Sequence, residues 1–204
     1  MKQCLLILGL SMMILLNPLF AQDKEASEGE EYSMPTALSD DAWYAWMAGE
    51  WEGETESTIG KMQDWMKCEF VLDNHFMIVH YTSKVVELNT EALQQMGMTA
   101  EQIEGMKDHL YKGMGIMTFD PQTGKSKDFW FDNYRAISEG SGTREGNIST
   151  GNWEGTMGTF KRTLEKVNDD EMVMNFKGFA PDGTTVINQG KTTMKRKALM
   201  GSNQ

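Results

Sequence analysis

The feature that most constrains the fold is a long succession of strand-like segments between Trp51 and Lys197. Short clusters of Asp, Asn, Pro and Gly separate these segments, and such residues are typical of tight turns. The ten segments are Trp51–Thr58, Trp65–Asp73, Phe76–Leu88, Gly113–Asp120, Lys127–Tyr134, Ala136–Thr143, Gly151–Met157, Thr159–Lys166, Glu171–Phe179 and Thr184–Lys197. Connections this short make neighbouring strands antiparallel, and about ten strands in one domain favour closure of the sheet. We therefore predict a mainly β protein built on an antiparallel barrel.

A short helical segment precedes the first strand. Ser39 is a good helix-capping residue, two aspartates follow it, and Gly49 is suited to end the helix. We expect the helix Asp40–Ala48 to plug one end of the barrel, with Trp51 lying across the barrel floor and its indole N–H bonded to a partner. The alternative is an amphipathic helix ahead of an ordinary antiparallel sheet.

The segment Asn89–Lys112 interrupts the strand pattern. Thr99 and Gln102 have the spacing of a helical capping box. The third strand of a meander runs away from the floor, so we expect this helical insertion (residues 89–112) to form a lid over the opposite mouth. The residues expected on its apolar face are Leu93, Met96, Ile103, Met106 and Leu110. The alternative is that it decorates the outer wall.

Both ends of the chain differ from the strand-rich part. Lys2 precedes the apolar run Cys4–Phe20, and Ala21 is a plausible cleavage point, which predicts a secretory signal peptide over residues 1–21. An uncleaved membrane anchor is the alternative. Residues 22–38 are acidic and poor in apolar side chains, which predicts a disordered leader, and residues 199–204 are expected to form a flexible tail. The predicted location is periplasmic or extracellular.

The net charge and the absence of several motifs argue against some classes of partner and site. The formal net charge is −11, which argues against nucleic acid and anionic membrane surfaces as partners. The sequence has no phosphate-binding glycine loop, HExxH or CxxC motif. Export would remove Cys4 and leave Cys68 without a partner for an intramolecular disulfide, so we expect Cys68 to be a small core residue.

Three motifs resemble those of one protein family. Residues 49–53 read G-E-W-E-G, residues 115–125 read G-I-M-T-F-D-P-Q-T-G-K, and residues 130–132 read W-F-D. Together they resemble a bacterial, often exported family of unknown function with a lipocalin-like (calycin) barrel, over roughly Ser39 to Lys197. Phe119 replaces a tyrosine that is commoner there. The resemblance implies that Arg196 of the last strand packs over Trp51, with Lys195 or Lys197 as alternatives.

Several side chains are candidates for lining a ligand site. Trp130 and Asp132 alternate with Phe129 and Phe131, so one of these two sets faces the lumen, but the alternation does not say which. The predicted ligand-binding residues are Trp51, Trp130, Asp132, Tyr134, Glu139, His75 and Arg196.

No metal, cofactor or catalytic residue is predicted. His75 and His80 are an odd number of residues apart, so they would face opposite sides of a regular strand and would not share a metal. Haem binding through one of them has no supporting motif. Met172 and Met174 fit a core strand better than a copper site.

The predicted function is that of an exported barrel that binds one small apolar or amphipathic molecule, with no assigned oligomeric state. Two alternatives stay open. One is an isomerase- or hydrolase-type enzyme that uses a lumen carboxylate, and the other is a filled barrel that acts only through its surface.

Overall fold

Ten antiparallel strands close into one barrel in the computed structural model, which describes residues 35–156 and 158–198. The predicted fold class is confirmed. The predicted signal peptide, the leader as far as residue 34 and the tail 199–204 lie outside the described residues.

The strands follow one another around the barrel in chain order, and β1 closes against β10. Their bounds are β1 Gly49–Ser57, β2 Gly60–Val71, β3 Phe76–Leu88, β4 Leu110–Asp120, β5 Lys125–Asp132, β6 Ile137–Glu145, β7 Ile148–Gly155, β8 Gly158–Asn168, β9 Glu171–Phe179 and β10 Val186–Arg196. The helices are α1 Ala42–Met47, α2 Thr90–Gln95 and α3 Ala100–Met106. None of these helices has the length and hydrophobicity needed to cross a membrane.

The barrel has two distinct ends, which we call the floor and the mouth. The floor is the end where β1 begins after α1, and the register places Trp51 opposite Arg196 of β10. Because every strand reverses direction, the β2–β3, β4–β5, β6–β7 and β8–β9 turns also lie at the floor. The insertion between β3 and β4 lies at the mouth.

The helix α1 begins later than predicted. The carboxylate of Asp41 caps it by accepting from the backbone N–H of Trp43 at 2.9 Å, whereas Ser39 lies inside a 3-10 turn over Leu38–Asp40. Leu38 was expected at the end of a disordered leader. Instead its side chain is buried, and its N–H donates to the carbonyl of Asn74 at 2.7 Å, so the packed domain begins before Ser39.

Trp51 forms the expected centre of the floor. Its indole N–H donates to the carbonyl of Met47 at 3.0 Å, and the side chain is 1% exposed. The guanidinium of Arg196 lies 4.2 Å from the Trp51 ring centroid and donates to the carbonyls of Ala48 at 2.8 Å and Trp46 at 2.5 Å. One side chain of the last strand therefore fastens the end of α1 to the floor tryptophan.

The insertion contains the two short helices α2 and α3. The capping box of Thr99 and Gln102 is present. Leu93 and Ile103 are buried outside the main core cluster, but Met96 is 44% exposed and does not belong to the apolar face. The predicted end of the insertion is three residues too late, because Leu110 already pairs with β3 as the first residue of β4.

Candidate functional site

The barrel encloses a cavity of about 520 Å³ that extends from above the floor to the mouth. The β5 strand shows which side chains face it. Asp128 is buried and Trp130 lines the cavity, whereas Lys127 points outward and Phe129 is 38% exposed. The even-numbered residues of β5 therefore face the lumen, which settles an alternation that the sequence left open.

Two tryptophans lie flat against the wall because glycines leave room for them. A Cβ atom at Gly113 would come within 2.2 Å of the Trp130 ring, and one at Gly140 would come within 2.3 Å of the Trp153 ring. Gly115 and Gly151 give the same rings space on their other side, with distances of 2.9 and 2.4 Å. Each indole thus covers a neighbouring strand instead of projecting across the lumen, and the centre stays open.

The cavity walls are mainly apolar. Trp153 contacts Phe160 edge-on, with ring centroids 6.0 Å apart, and Phe160 stacks on Phe176 at 5.7 Å. Tyr81 of β3 meets Trp130 of β5 edge-on over the intervening strand β4, with ring centroids 6.4 Å apart. The aliphatic and thioether part of the lining includes Met62, Met66, Val79, Val85, Leu164 and Met174. Such a surface is suited to bury a hydrocarbon or aromatic body.

A polar cluster borders the mouth. The indole N–H of Trp130 donates to the hydroxyl of Tyr111 at 2.8 Å, and burial raises the pKa of Tyr111 to about 12. The ring of Tyr134 stacks on His109 at 5.0 Å. The Nε2 atom of His109 is buried and has no hydrogen-bond partner within the described residues. His109 and Met106 bring the insertion into the cavity lining.

The carboxylate of Asp132 serves mainly to shape the β5–β6 turn. Its Oδ1 atom accepts from the backbone N–H groups of Tyr134 at 2.9 Å and Ala136 at 3.1 Å. Its Oδ2 atom lies 3.5 Å from the Tyr111 hydroxyl. Because Oδ1 already accepts from two backbone donors, the geometry favours a structural role over proton transfer to a bound molecule.

A second buried carboxylate belongs to Asp64, which is wholly buried on β2. The Thr55 hydroxyl donates to its Oδ2 atom at 2.5 Å and also contacts the Thr192 hydroxyl at 2.5 Å. Burial raises the pKa of Asp64, and the hydroxyls of Ser83, Thr55 and Tyr81 act in the opposite direction. The Oδ1 atom has no partner of good geometry among the described residues. Thr55 and Thr192 line the cavity, whereas Asp64 does not.

Two residues of opposite charge, Arg162 and Asp128, line both the cavity and the small space beneath it against α1. Arg162 projects from β8 above the Trp153 ring, with its guanidinium carbon 4.6 Å from the ring centroid. Asp128 accepts from the Ser126 hydroxyl at 3.0 Å. Burial lowers the pKa of Arg162 and raises that of Asp128, and the attraction between the two opposes both shifts. Within residues 35–156 and 158–198, Arg162 makes no hydrogen bond and no ion pair.

The other inward-facing cations are engaged at the floor. Arg144 binds the two carboxylate oxygens of Asp41 at 2.7 and 2.8 Å, which lowers the pKa of Asp41. Lys166 lies 2.7 Å from the carboxylate of Asp169, and Arg196 binds the end of α1. Arg162 therefore differs from its neighbours in having no acceptor on the described chain.

Comparison with known proteins supports the fold and assigns no sequence family. The S-type phycobiliprotein lyase CPES from Guillardia theta matches with a TM-score of 0.57 at 9% identity, covering 80% of this chain and 94% of that chain. The fold is a lipocalin-like barrel. A protein of unknown function from the DUF3598 family of Nostoc punctiforme aligns over 80% of this chain and 100% of that chain, at 8% identity and a TM-score of 0.27. No family model and no curated protein matches the sequence.

The barrel brings together only part of the predicted site. Trp130, Asp132 and Tyr134 line the cavity, whereas Trp51 and Arg196 lie beneath it in the floor. These last two are structural neighbours of the site and do not form its surface.

Two predicted site residues lie elsewhere and correct the sequence-based expectation. His75 occupies the β2–β3 turn at the floor instead of a strand, and it does not line the cavity. Glu139 is an outer-face residue of β6 whose carboxylate lies 3.3 Å from Lys127. His80 also points outward, 3.5 Å from Glu69, so neither histidine of the haem alternative reaches the lumen.

The predicted set of ligand-binding residues does not include two charged residues that line the lumen, although Arg162 is a possible partner for a lumen-facing Asp132. Arg162 lies between Phe160 and Leu164 on the inward face of β8, and Asp128 precedes Trp130 by two residues on β5. A charged residue that shares one face of a strand with apolar residues indicates such a position. This pattern can be interpreted only when it is known which face of the strand points inward. His109 and Trp153 were likewise not proposed as lining residues.

The described residues contain no group of three or more His, Cys, Asp or Glu side chains arranged to hold a metal ion. Cys68 is buried in the core cluster, and burial raises the pKa of its thiol to about 12. This thiol is therefore protonated at neutral pH and is suited to packing.

Proposed function

We propose that this protein binds one small, mainly apolar molecule inside its barrel. The observation that supports the proposal is the cavity of about 520 Å³, which lies within the range of about 300–1,000 Å³ that is typical of ligand sites. Its floor is closed by Trp51 and α1, and its mouth is bordered by Met106, His109 and Tyr134. The likeness to the lyase concerns the fold, so the ligand is argued from the cavity alone.

The position of the glycines supports an open lumen over a filled one. Gly113, Gly115, Gly140 and Gly151 hold the two large indoles against the wall, so the largest lumen side chains do not fill the centre. A barrel that acts only through its surface has no need of this arrangement. Apolar walls interrupted by a few polar groups are the usual composition of a small-molecule site.

A blocking substitution tests the proposal. A Cβ at Gly178 would meet nothing closer than 3.7 Å, so Gly178→Leu adds volume inside the lumen without striking the backbone. We expect this variant to lose most of the binding of an apolar fluorescent dye such as Nile red. Asn175→Leu is the control, because it places the same leucine side chain on the outer face of the same strand.

Native mass spectrometry of the purified protein is the complementary measurement. A bound mass that is present in the wild type and absent from Gly178→Leu would support a resident ligand. If Nile red binds both leucine variants as it binds the wild type, the dye does not occupy the lumen and the proposal fails.

We further propose that the protein acts outside the cytoplasm. The support is the sequence pattern of residues 1–21, which fits a cleaved export signal. Mass spectrometry of a secreted or periplasmic fraction is expected to find a mature terminus near Gln22. Recovery of only the intact chain, and only with membranes, would contradict this and favour an anchor.

A further inference from the structure

Resting on the proposed binding function, we propose that the ligand is a monocarboxylate and that Arg162 holds its carboxylate at the inner end of the cavity. The apolar body of the ligand would then extend from Arg162 towards the mouth, along the aromatic wall formed by Trp153, Phe160 and Phe176.

The first argument is the unmet hydrogen-bonding capacity of Arg162. A guanidinium carries five N–H donors, and a buried charged group without partners is costly to retain. Arg162 is enclosed by the barrel, and the surface that it keeps accessible faces the cavity. No acceptor within the described residues binds it, whereas Arg144 binds the carboxylate of Asp41 and Arg196 binds backbone carbonyls of α1. A carboxylate that accepts two parallel hydrogen bonds would satisfy this group.

The second argument is the depth of the guanidinium. Arg162 borders both the main cavity and a small space of about 20 Å³ against α1, which is lined by Tyr44 and Met47. That space has room for about one water molecule and none for the body of a ligand. Arg162 therefore lies near the inner end of the site, and a head group that reaches it must enter first.

The third argument is the nearby carboxylate of Asp128. The negative charge of Asp128 offsets part of the positive charge of Arg162. It leaves the N–H donors of Arg162 unbound, since the carboxylate of Asp128 accepts from the Ser126 hydroxyl. A doubly charged phosphate would meet strong repulsion from Asp128, whereas a singly charged planar carboxylate meets less. The pair therefore favours a monocarboxylate over a phosphate ester.

The test compares an acid with its uncharged ester. Dodecanoic acid and methyl dodecanoate are titrated against Nile red bound to the wild-type protein, near neutral pH. We expect the acid to displace the dye at least roughly tenfold more strongly than the ester, which is the effect of one charge-assisted hydrogen-bonded pair. Arg162→Gln should abolish this preference while leaving the affinity for the ester unchanged. The matched control is Arg135→Gln at the exposed β5–β6 turn, which should keep it.

Two further variants decide the matter if Arg162→Gln does not fold. Arg162→Lys keeps the charge but loses the planar fork, so the acid preference should fall. Asp128→Asn removes a like charge, so affinity for the acid should rise and affinity for the ester should stay constant. A purely structural role for Arg162 would change both compounds equally.

The outcomes separate this inference from the proposed function. The inference is overturned if Nile red and the ester bind in the lumen but the acid binds no better than the ester. It is also overturned if the preference for the acid is unchanged in Arg162→Lys and Asp128→Asn. In both cases the proposed binding function stands. An advantage that disappears in His109→Gln instead would place the carboxylate at the mouth and overturn it as well. If neither the dye nor either compound binds the wild type, the proposed function itself fails.

Discussion

Single residues at the floor show how one side chain joins distant parts of this chain. Arg196 lies over Trp51 and binds the carbonyls of Trp46 and Ala48, so it joins the last strand, the first strand and α1. Arg196 therefore covers the Trp51 indole and also binds carbonyls that the end of α1 leaves without a partner.

Replacing this arginine should destabilise the whole domain. Arg196→Gln removes a cation–π contact and two charged hydrogen bonds, and we expect the free energy of unfolding to fall by about 2–4 kcal/mol. The measurement is urea denaturation followed by tryptophan fluorescence. Lys195→Gln, on the outer face of the same strand, is the control and should change it by less than about 0.5 kcal/mol. Equal effects of the two substitutions would show that the floor does not depend on Arg196.

The buried Asp64 predicts an unusual pH dependence. Its pKa in the folded protein is raised by burial above the ordinary value of 3.8. The folded state therefore binds the proton more tightly than the unfolded state, and the stability linked to it is complete below pH 3.8 and is lost as the pH rises through the folded pKa.

Asp64→Asn cannot ionise, so we expect it to be more stable than the wild type at about pH 7, with the difference shrinking towards about pH 4. Urea denaturation at both pH values measures this, with Glu54→Gln on the exposed face of β1 as the control. An Asp64→Asn variant that is less stable than the wild type at neutral pH would show that ionised Asp64 is stabilised by its hydroxyl neighbours.

Residues of the floor were easier to predict from the sequence than residues of the site. Trp51 follows a capped helix and a glycine. This local pattern places it at the start of the first strand, whichever way the later strands close. Arg162 and Asp128 have no such local pattern. Their inward orientation depends on the pairing register of the β5–β6 and β7–β8 hairpins, and a shift of one residue would turn both outward.

At the scale of elements, the paired glycines of β4, β6 and β7 keep the lumen open. Gly113 and Gly115 alternate along one strand, and Trp130 of the next strand covers both. Trp153 of β7 lies against Gly140 of the neighbouring strand β6 and against Gly151 of its own strand. The two indoles thereby form part of the cavity wall. The positions of the glycines along the strands determine the volume that is left for a ligand.

A methyl group at one of these glycines should close part of the cavity. The Cβ of Gly140→Ala would lie 2.3 Å from Trp153, so the indole must move into the lumen. We expect a loss of about 1–3 kcal/mol in stability and weaker Nile red binding. Gly105→Ala is the control, because its Cβ meets nothing within 4 Å and alanine favours the helix. Unchanged dye affinity in Gly140→Ala would mean that Trp153 does not limit the cavity.

The insertion lies at the predicted end of the barrel, but its role as a lid remains a prediction. Replacing Thr90–Met106 by a short Gly-Ser linker should leave the barrel folded and accelerate ligand release, because Leu93 and Ile103 are buried outside the main core cluster. Stopped-flow dilution of bound Nile red measures the release rate. A deletion variant that fails to fold would show that the insertion is part of the core.

A matched pair of methionines refines this experiment without a deletion. Met106 lines the cavity, whereas Met96 is 44% exposed on the same insertion. Met106→Ser should accelerate release and Met96→Ser should not.

At the scale of the whole molecule, the fold was largely predictable and the ligand was not. All ten strands were expected from turn residues and alternation, and β3 and β9 have the predicted bounds. Most errors were at element ends, as at Leu110, where pairing with β3 extends a strand into a segment of helical pattern. The shape of the cavity depends on how side chains of separate strands divide the interior, and this information is not local in sequence.

The closure of β1 against β10 also determines where the chain enters and leaves the described domain. Both ends of the described domain lie on the floor side, where the N–H of Leu38 binds Asn74 and the N–H of Lys197 binds the carbonyl of Glu50. The chain therefore enters and leaves the described domain on the side opposite the opening. A molecule immobilised through a residue at one of these two boundaries would present its opening to the surrounding solution, as a biosensor surface requires.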